Sequence, residues 1–148
     1  MKKKLLMFTL LAGIFSASVL NANAEISQKA LQSFHSVFGD ANHVKWVEYK
    51  DNYFVSFMQN DILVKATYDK EGNLLSSMRY YKQQHLPLNI LCKVKKDYPS
   101  KNIDIVTEVS NLEGTVFFIQ LKDNKGWTIL KSDQSGNMEV TDKFNKPE

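Results

Sequence analysis

The sequence predicts an α+β protein of two tandem repeats, each made of one helix followed by about four antiparallel strands. A hexapeptide at residues 69–74 reads Asp-x-x-Gly-Asn-apolar, and the same pattern returns at residues 133–138. Apolar residues with helical spacing precede each copy, and stretches rich in β-forming residues flank each hexapeptide. We therefore predict repeat 1 at residues 25–85 and repeat 2 at residues 86–148.

The repeated hexapeptide has the composition of a hairpin turn. Asp69 and Asp133 can accept hydrogen bonds from the backbone that follows them. Gly72 and Gly136 can adopt the positive φ that a Cβ atom disfavours. Each hexapeptide is therefore predicted to join two antiparallel strands.

One amphipathic helix is predicted at the start of each repeat. The first follows Ser27, whose hydroxyl can cap it, and runs to about Val37. The second spans Leu88 to Asp97, after Pro87, which suits a first helical turn. The two apolar stripes lie in the same phase and consist of Ala30, Leu31, Phe34 and Phe38 in the first helix and Ile90, Leu91, Val94 and Tyr98 in the second.

Four strands are predicted after each helix. Short turns separate them, which is typical of an antiparallel meander. The predicted strands are residues 44–49, 53–59, 62–68 and 74–82 in repeat 1, and 103–109, 115–122, 127–131 and 138–144 in repeat 2. On the third strand Ile62, Val64, Ala66 and Tyr68 should share one face. The sequence leaves open whether the two sheets join edge to edge or lie side by side.

Residues 1–24 have the features of a cleaved export signal. Three lysines after Met1 form a basic start, an apolar run reaches Leu20, and Ala22-Asn23-Ala24 ends it with small residues. The alternative is a membrane-spanning helix, but Gly13, the polar residues and the Ala-x-Ala end favour cleavage. We therefore expect a protein of the periplasm, or a secreted one, with no membrane span after the signal.

The charge balance argues against a nucleic-acid partner. The chain has 19 Lys and Arg against 16 Asp and Glu, a net charge of +3. Lys2, Lys3 and Lys4 supply that whole excess, so residues 25–148 are neutral. A nucleic-acid-binding domain is expected to carry a basic surplus.

No motif for a metal, a cofactor or a catalytic nucleophile is present. The three histidines, His35, His43 and His85, are not spaced as metal ligands. The acidic turn at residues 69–74 lacks the spacing of an EF-hand calcium loop. Gly-x-Ser-x-Gly, His-Glu-x-x-His and phosphate-binding glycine loops do not occur. We therefore predict no catalytic residues, no metal and no cofactor.

Cys92 is the only cysteine, so an internal disulfide is impossible and stability must come from packing. It lies next to Leu91 in the second helix, so we expect a small, semi-buried side chain. A reactive nucleophile would need an activating base, and no sequence neighbour suggests one. An intermolecular disulfide is the other alternative.

Aromatic residues exceed what one face of a sheet can bury. Tyr80 and Tyr81 are adjacent and must point to opposite faces, as must Phe117 and Phe118. Either both faces are covered, by a helix and by dimer or inter-repeat packing, or one face shows aromatic side chains to a partner. Exposed Tyr, Trp and Arg are the composition of a protein-binding hot spot. The candidate binding residues are Trp46, Tyr49, Arg79, Tyr80, Tyr81 and Trp127.

An export signal, two helix-plus-four-strand units and turns of the type Tyr68-Asp69-Lys70-Glu71-Gly72-Asn73 resemble the β-lactamase-inhibitor-like, PepSY-like family of small exported bacterial proteins. The resemblance covers residues 25–148. It implies the fold of β-lactamase inhibitory protein, whose tandem αβ repeats form a protein-binding surface, and PepSY domains are associated with restraining proteases. It supplies no catalytic residues. The inhibitor looks to be braced by disulfides, whereas this chain has only Cys92, which argues against β-lactamase inhibition.

The leading hypothesis is a non-enzymatic periplasmic module that binds an envelope protein or peptide, with an inhibitory or regulatory role. The alternatives are a carrier with a small-ligand cavity between helix and sheet, and a small enzyme without a recognisable motif. A homodimer is compatible with each of them.

Overall fold

The structure is a computed structural model that describes residues 25–146. The predicted export signal at residues 1–24 lies outside the described residues. The elements, in chain order, are α1 (Gln28–Val37), β1 (Asn42–Tyr49), β2 (Asn52–Gln59), β3 (Ile62–Asp69), β4 (Leu74–Tyr81), a 3-10 turn (Gln83–His85), α2 (Leu88–Asp97), β5 (Asn102–Asn111), β6 (Gly114–Lys122), β7 (Gly126–Asp133) and β8 (Met138–Asn145). None of the described helices is long and apolar enough to cross a membrane.

The two helices begin where the sequence predicts. Ser27 caps α1, because its Oγ accepts a hydrogen bond of 3.2 Å from the N–H of Ala30. The α2 helix follows Pro87, which has no side-chain cap. Both helices have the predicted bounds, and each buries two residues of its apolar stripe: Ala30 and Phe34 in α1, and Ile90 and Val94 in α2.

All eight strands form one antiparallel sheet in sequence order. The β4 and β5 strands pair from Ser76 with Asn111 to Tyr81 with Val106, so the two halves join edge to edge. The observed strands begin and end within two residues of the predicted bounds. The prediction of two α-helices and eight antiparallel strands is therefore confirmed. The division into two copies of one repeated unit stays a prediction.

Both helices pack against the same face of the sheet, here called the helix face. The buried cluster on this face joins Phe34 and Ile90 of the helices to strand residues such as Val55, Val106 and Ile119. The predicted alternation on β3 is confirmed, since its four apolar residues belong to this cluster: Ile62, Val64, Ala66 and Tyr68. The opposite side of the sheet is here called the open face.

The two repeated hexapeptides form the same hairpin turn. The Asn73 N–H donates to Asp69 Oδ1 at 2.8 Å, and the Asn137 N–H donates to Asp133 Oδ1 at 3.0 Å. Each Asn side-chain amide also donates to the other oxygen of the same carboxylate. These bonds hold the pKa of Asp69 and of Asp133 below the usual value of 3.8. The predicted turns between β3 and β4 and between β7 and β8 are therefore confirmed.

Cys92 is exposed, and the expectation of a semi-buried side chain is wrong. The buried stripe of α2 consists of Ile90 and Val94. Cys92 lies two positions from each of them, so it falls about 200° around the helix and points away from the sheet. Proximity in sequence to Leu91 was a poor guide because adjacent helical residues diverge by about 100°.

Candidate functional site

Apolar side chains cross the open face in two adjacent rows. In one row Leu63 of β3 pairs with Tyr80 of β4. In the next, Met78 of β4 pairs with Val109 of β5, which in turn pairs with Val116 of β6. Neighbouring strands lie about 4.8 Å apart, so these side chains are in contact range across the sheet. We call them the apolar band: Leu63, Met78, Tyr80, Val109 and Val116.

The apolar band keeps part of its surface accessible. Leu63 is 37% exposed, and Tyr80, Val109 and Val116 are half-buried. Met78 is only 2% exposed, although it does not belong to the core cluster of the helix face. Within residues 25–146 both α-helices pack on the helix face, so the neighbours of Met78 on the open face must bury it. The apolar band is thus a contiguous surface in which one side chain is buried and the other four are partly exposed to solvent.

A positive charge borders the band. Lys65 Nζ lies 5.5 Å from the centre of the Tyr80 ring, within the range of a cation–π interaction. Burial lowers the pKa of Lys65 and raises the pKa of Tyr80. The Tyr80 hydroxyl donates to Met78 Sδ at 3.8 Å, a weak bond that leaves its oxygen able to accept another. The centre of the open face therefore combines an aromatic ring, a polar tip and a cation.

Arg79 and Tyr81 lie on the helix face, at the seam where β4 meets β5. The Tyr81 hydroxyl donates to Glu108 Oε2 at 2.5 Å, and Arg79 Nη1 donates to Glu108 Oε1 at 3.3 Å. Tyr81 is 4% exposed, and burial together with the bond to Glu108 raises its pKa. Glu108 is the cross-strand partner of Arg79, so this network ties the two halves together.

A shallow cavity of about 200 Å³ lies where β7 begins and β8 ends. Its walls include Trp127 and Phe144, which are cross-strand partners, and Tyr98, which ends α2. Lys101 and Asp123 form an ion pair in the lining. The cavity is at an end of the sheet, whereas the predicted carrier would bind between helix and sheet.

Within residues 25–146 no three His, Cys, Asp or Glu side chains are grouped so that they could hold a metal ion. Of the three histidines, His85 packs its ring 5.7 Å from the ring of Tyr81.

No family model matches the sequence, and no curated protein matches it. Solved structures do resemble the chain. A BLIP-like protein from Bacteroides fragilis has a TM-score of 0.65 and 16% identity, over 85% of this chain and 92% of its own. The fold is that of a BLIP-like protein.

Two further structures share the BLIP-like fold. A DUF2874 family protein from Bacteroides ovatus has a TM-score of 0.62 and 15% identity, over 83% of this chain and 89% of its own. A protein from Bacteroides eggerthii, described as a candidate periplasmic one, has a TM-score of 0.61 and 13% identity, over 82% and 90%. The predicted β-lactamase-inhibitor-like fold is confirmed, and the PepSY-like label stays a prediction. At these identities the similarity shows the fold alone.

The BLIP-like fold divides the six predicted binding residues between two faces. Tyr49, Tyr80 and Trp127 lie on the open face. Arg79 and Tyr81 lie in the helix-face seam. Trp46 packs its ring 5.3 Å from Phe34 and 5.8 Å from Tyr68, at the margin of the core. The six residues therefore do not form one surface.

Sequence reasoning missed most of the apolar band. Leu63, Met78, Val109 and Val116 are ordinary strand residues, and no motif marks them. The alternation on β3 could have identified Leu63, because it places this residue on the face of the strand that does not carry the buried residues. To assemble the band one also needs the register between β4 and β5, and that pairing is long-range in sequence.

Proposed function

We propose that this protein is a non-enzymatic, exported module that binds another protein or peptide through the open face of its sheet. The observation that carries the proposal is the apolar band, which crosses β3 to β6 and keeps accessible surface in a chain with a well-buried core. Contiguous apolar patches on the surface of a protein often mark sites of protein–protein interaction. The proposal extends to the two halves as copies of one αβ unit and to a periplasmic location.

The band has the anatomy of a binding hot spot. Tyr80 lies within the band and pairs with Leu63 of β3. Met78, on the same strand as Tyr80, is buried from solvent. Burying a partly exposed Tyr or Leu side chain contributes roughly 1–3 kcal/mol, and a rigid sheet loses little conformational entropy on binding. Lys65 over the Tyr80 ring adds a charge that favours a partner with an acidic group.

The BLIP-like fold agrees with this proposal without supplying its partner. The description "BLIP-like" was given to the Bacteroides fragilis protein, and it names no partner for this chain. We propose binding for this chain from its own surface, and β-lactamase inhibition is not part of the proposal. An inhibitory or regulatory role would follow if the bound partner proves to be an enzyme.

Affinity capture tests the proposal. Residues 25–148 serve as bait against an envelope extract of the cell that makes the protein, beside a band variant, Leu63→Ala with Tyr80→Ala. The matched control is Leu88→Ala with Leu112→Ala, because these leucines are 73% and 89% exposed and lie outside the band. Circular dichroism and urea unfolding show whether each bait is folded.

We expect a partner that the native bait and the control both hold and the band variant loses. Losing a central hot-spot residue costs at least about 2 kcal/mol, so affinity for the purified partner should fall by about 30-fold or more. A partner that binds the band variant as tightly as the native chain would refute the assignment to the open face. Equal loss in the control variant would refute it too.

A further inference from the structure

The β1 strand is one of the two outer edges of the sheet. It comes first in the strand order and pairs with β2, in a regular register from Lys45 to Tyr49. Within residues 25–146 no strand pairs with its other side. An unpaired edge presents backbone N–H and C=O groups, which a strand of another chain can bind.

The hairpin between β1 and β2 determines which backbone groups of β1 face outward. Its turn has two residues, so the flanking Tyr49 and Asn52 exchange backbone hydrogen bonds across the hairpin. Hydrogen-bonded pairs alternate along an antiparallel ladder, so the backbone of Val47 also bonds towards β2. The N–H and C=O groups of Trp46 and Glu48 therefore point away from β2, to the free side.

The other outer edge of the sheet, β8, is irregular. Its register against β7 shifts between Ile129 and Leu130, which leaves Thr141 as an extra residue in the middle of the strand. A bulge of this kind interrupts the row of edge groups and bends the strand away from a regular partner. The β1 strand is regular over its last five residues, so it is the edge that a straight strand can join.

The side chains of β1 on the helix face leave this edge clear. The Trp46 ring lies 5.8 Å from the ring of Tyr68, which is two strands inward, on β3. The Glu48 carboxylate pairs with Lys70, whose ammonium lies 4.3 Å from the centre of the Tyr53 ring on β2. Both side chains of β1 thus lean towards the interior of the protein, and neither blocks a strand that arrives from outside.

A second copy of β1 matches this edge in an antiparallel register centred on Val47. Val47 then lies opposite Val47 of the second copy, and Trp46 lies opposite Glu48, so the residues with free backbone groups can bond each other in both directions. Lys45 lies opposite Tyr49, whose ring is 49% exposed and can receive the apolar stem of the lysine. No two like charges face each other.

Other registers pair the two strands less well. Because the free backbone groups occur at every second residue, the strands can slide only in steps of two residues. A slide in one direction places Glu48 opposite Glu48, and like charges directly opposite each other are destabilising. A slide in the other direction places Trp46 opposite Trp46 and shortens the paired part of the regular segment. The register centred on Val47 is therefore favoured.

We propose that this protein forms a dimer in which two β1 strands pair antiparallel, centred on Val47, and join two eight-stranded sheets into one. The partner is a second copy of the chain, because the same five residues supply both sides of the pairing. A twofold axis perpendicular to the sheet places both open faces on the same side of the dimer. The dimer does not depend on the proposed function, since β1 is not part of the apolar band.

Sedimentation equilibrium of residues 25–148, from about 10 µM to about 1 mM, tests the association. Pairing over five residues buries less surface than the roughly 1,200 Å² of a stable complex, so the dimer should be weak. We expect a monomer–dimer equilibrium with a dissociation constant on the order of 100 µM. A monomer at every concentration would overturn the proposal, and the edge would then be left to a strand of a different protein.

The substitution Glu48→Pro tests the backbone pairing. It removes an N–H that faces outward and keeps the hydrogen bonds to β2, and edge strands accept proline at such positions. The matched control is Glu48→Ala, which keeps the N–H, and both variants lose the ion pair with Lys70. We expect Glu48→Pro to dimerise at least about tenfold more weakly than Glu48→Ala. Equal dimerisation of the two variants would contradict pairing through this edge.

Disulfide crosslinking tests the register, and it does so even if Glu48→Pro does not fold. The background is Cys92→Ser, which removes the one native thiol, on an exposed position. The substitution Val47→Cys then places two thiols across the twofold axis, with Cα atoms about 4.5 Å apart, a distance that a disulfide spans. The oxidant is glutathione disulfide, which takes up the two electrons and leaves as two molecules of glutathione.

The matched control for crosslinking is Tyr49→Cys in the same background. Tyr49 is more exposed than Val47, but in the proposed register it lies about 13 Å along the strand from Tyr49 of the second copy. We expect Val47→Cys to form the disulfide-linked dimer at least about tenfold faster than Tyr49→Cys. Equal rates, or a faster reaction of Tyr49→Cys, would overturn the register and with it the proposed dimer.

Discussion

Gly72 and Gly136 occupy the same place in two copies of one turn, and alanine at each should cost a different amount. Their φ angles are nearly equal, +88° and +84°. A side chain at positive φ costs about 1–2 kcal/mol at either site. A Cβ at Gly72 would also lie 2.7 Å from the carbonyl carbon of Lys29 in α1, whereas a Cβ at Gly136 would meet only the Asn89 side-chain nitrogen at 3.7 Å.

We therefore expect Gly136→Ala to lower the free energy of unfolding by about 1–2 kcal/mol, and Gly72→Ala to lower it by a further 1–3 kcal/mol, the usual cost of overpacking. The backbone of α1 must shift to relieve the second contact, because it is not a flexible side-chain end. The assay is urea unfolding of residues 25–148. With an m-value of about 2 kcal/mol/M, an extra loss of 2 kcal/mol moves the midpoint about 1 M lower.

The Gly136→Ala variant serves as the control for the Gly72→Ala variant. Alanine reduces the entropy of the unfolded chain equally at the two positions, so that contribution cancels in the difference between the variants. Equal losses, or a larger loss for Gly136→Ala, would show that the packing of α1 on the first turn does not constrain Gly72. The reasoning from the contact with Lys29 would then be wrong.

Two other measurements follow from buried and hydrogen-bonded groups. The Tyr68 hydroxyl is buried without a hydrogen-bond partner in the described chain, so Tyr68→Phe should raise the free energy of unfolding by about 1 kcal/mol in urea titration, and a loss would contradict this. Asp69, Asp123 and Asp133 have lowered pKa values, so the unfolded chain binds more protons and stability should fall as pH drops below 3.8 through those values. Asp133→Asn should make that decline between pH 5 and pH 3 shallower, and an unchanged decline would refute the assignment.

Much of the local structure could be predicted because it depends on neighbours in sequence. The bounds of both helices follow from Ser27, Pro87 and the spacing of their apolar stripes. The two hairpin turns follow from Asp and Gly three residues apart, whose hydrogen bonds lie within five residues. The opposite orientation of Tyr80 and Tyr81 also follows from strand geometry, and the structure confirms it: Tyr81 is in the core and Tyr80 lies on the other face.

The candidate sites could be predicted only in part. Tyr80 and Trp127 were singled out as aromatic residues on strands, and both lie on the open face, where Tyr80 is part of the apolar band. Trp46 was singled out on the same grounds but packs against Phe34 at the margin of the core. An aromatic residue on a strand does not reveal which face it occupies until the position of the helix is known.

By itself the sequence determined the helices, the strands, the turns and the neutral charge of residues 25–148, since propensity, alternation and capping act over a few residues. Only the tertiary structure decided that β4 pairs with β5 and that both helices cover one face of the sheet. These arrangements join residues far apart in the chain. They depend on which apolar surfaces are buried together, and no local pattern specifies that choice.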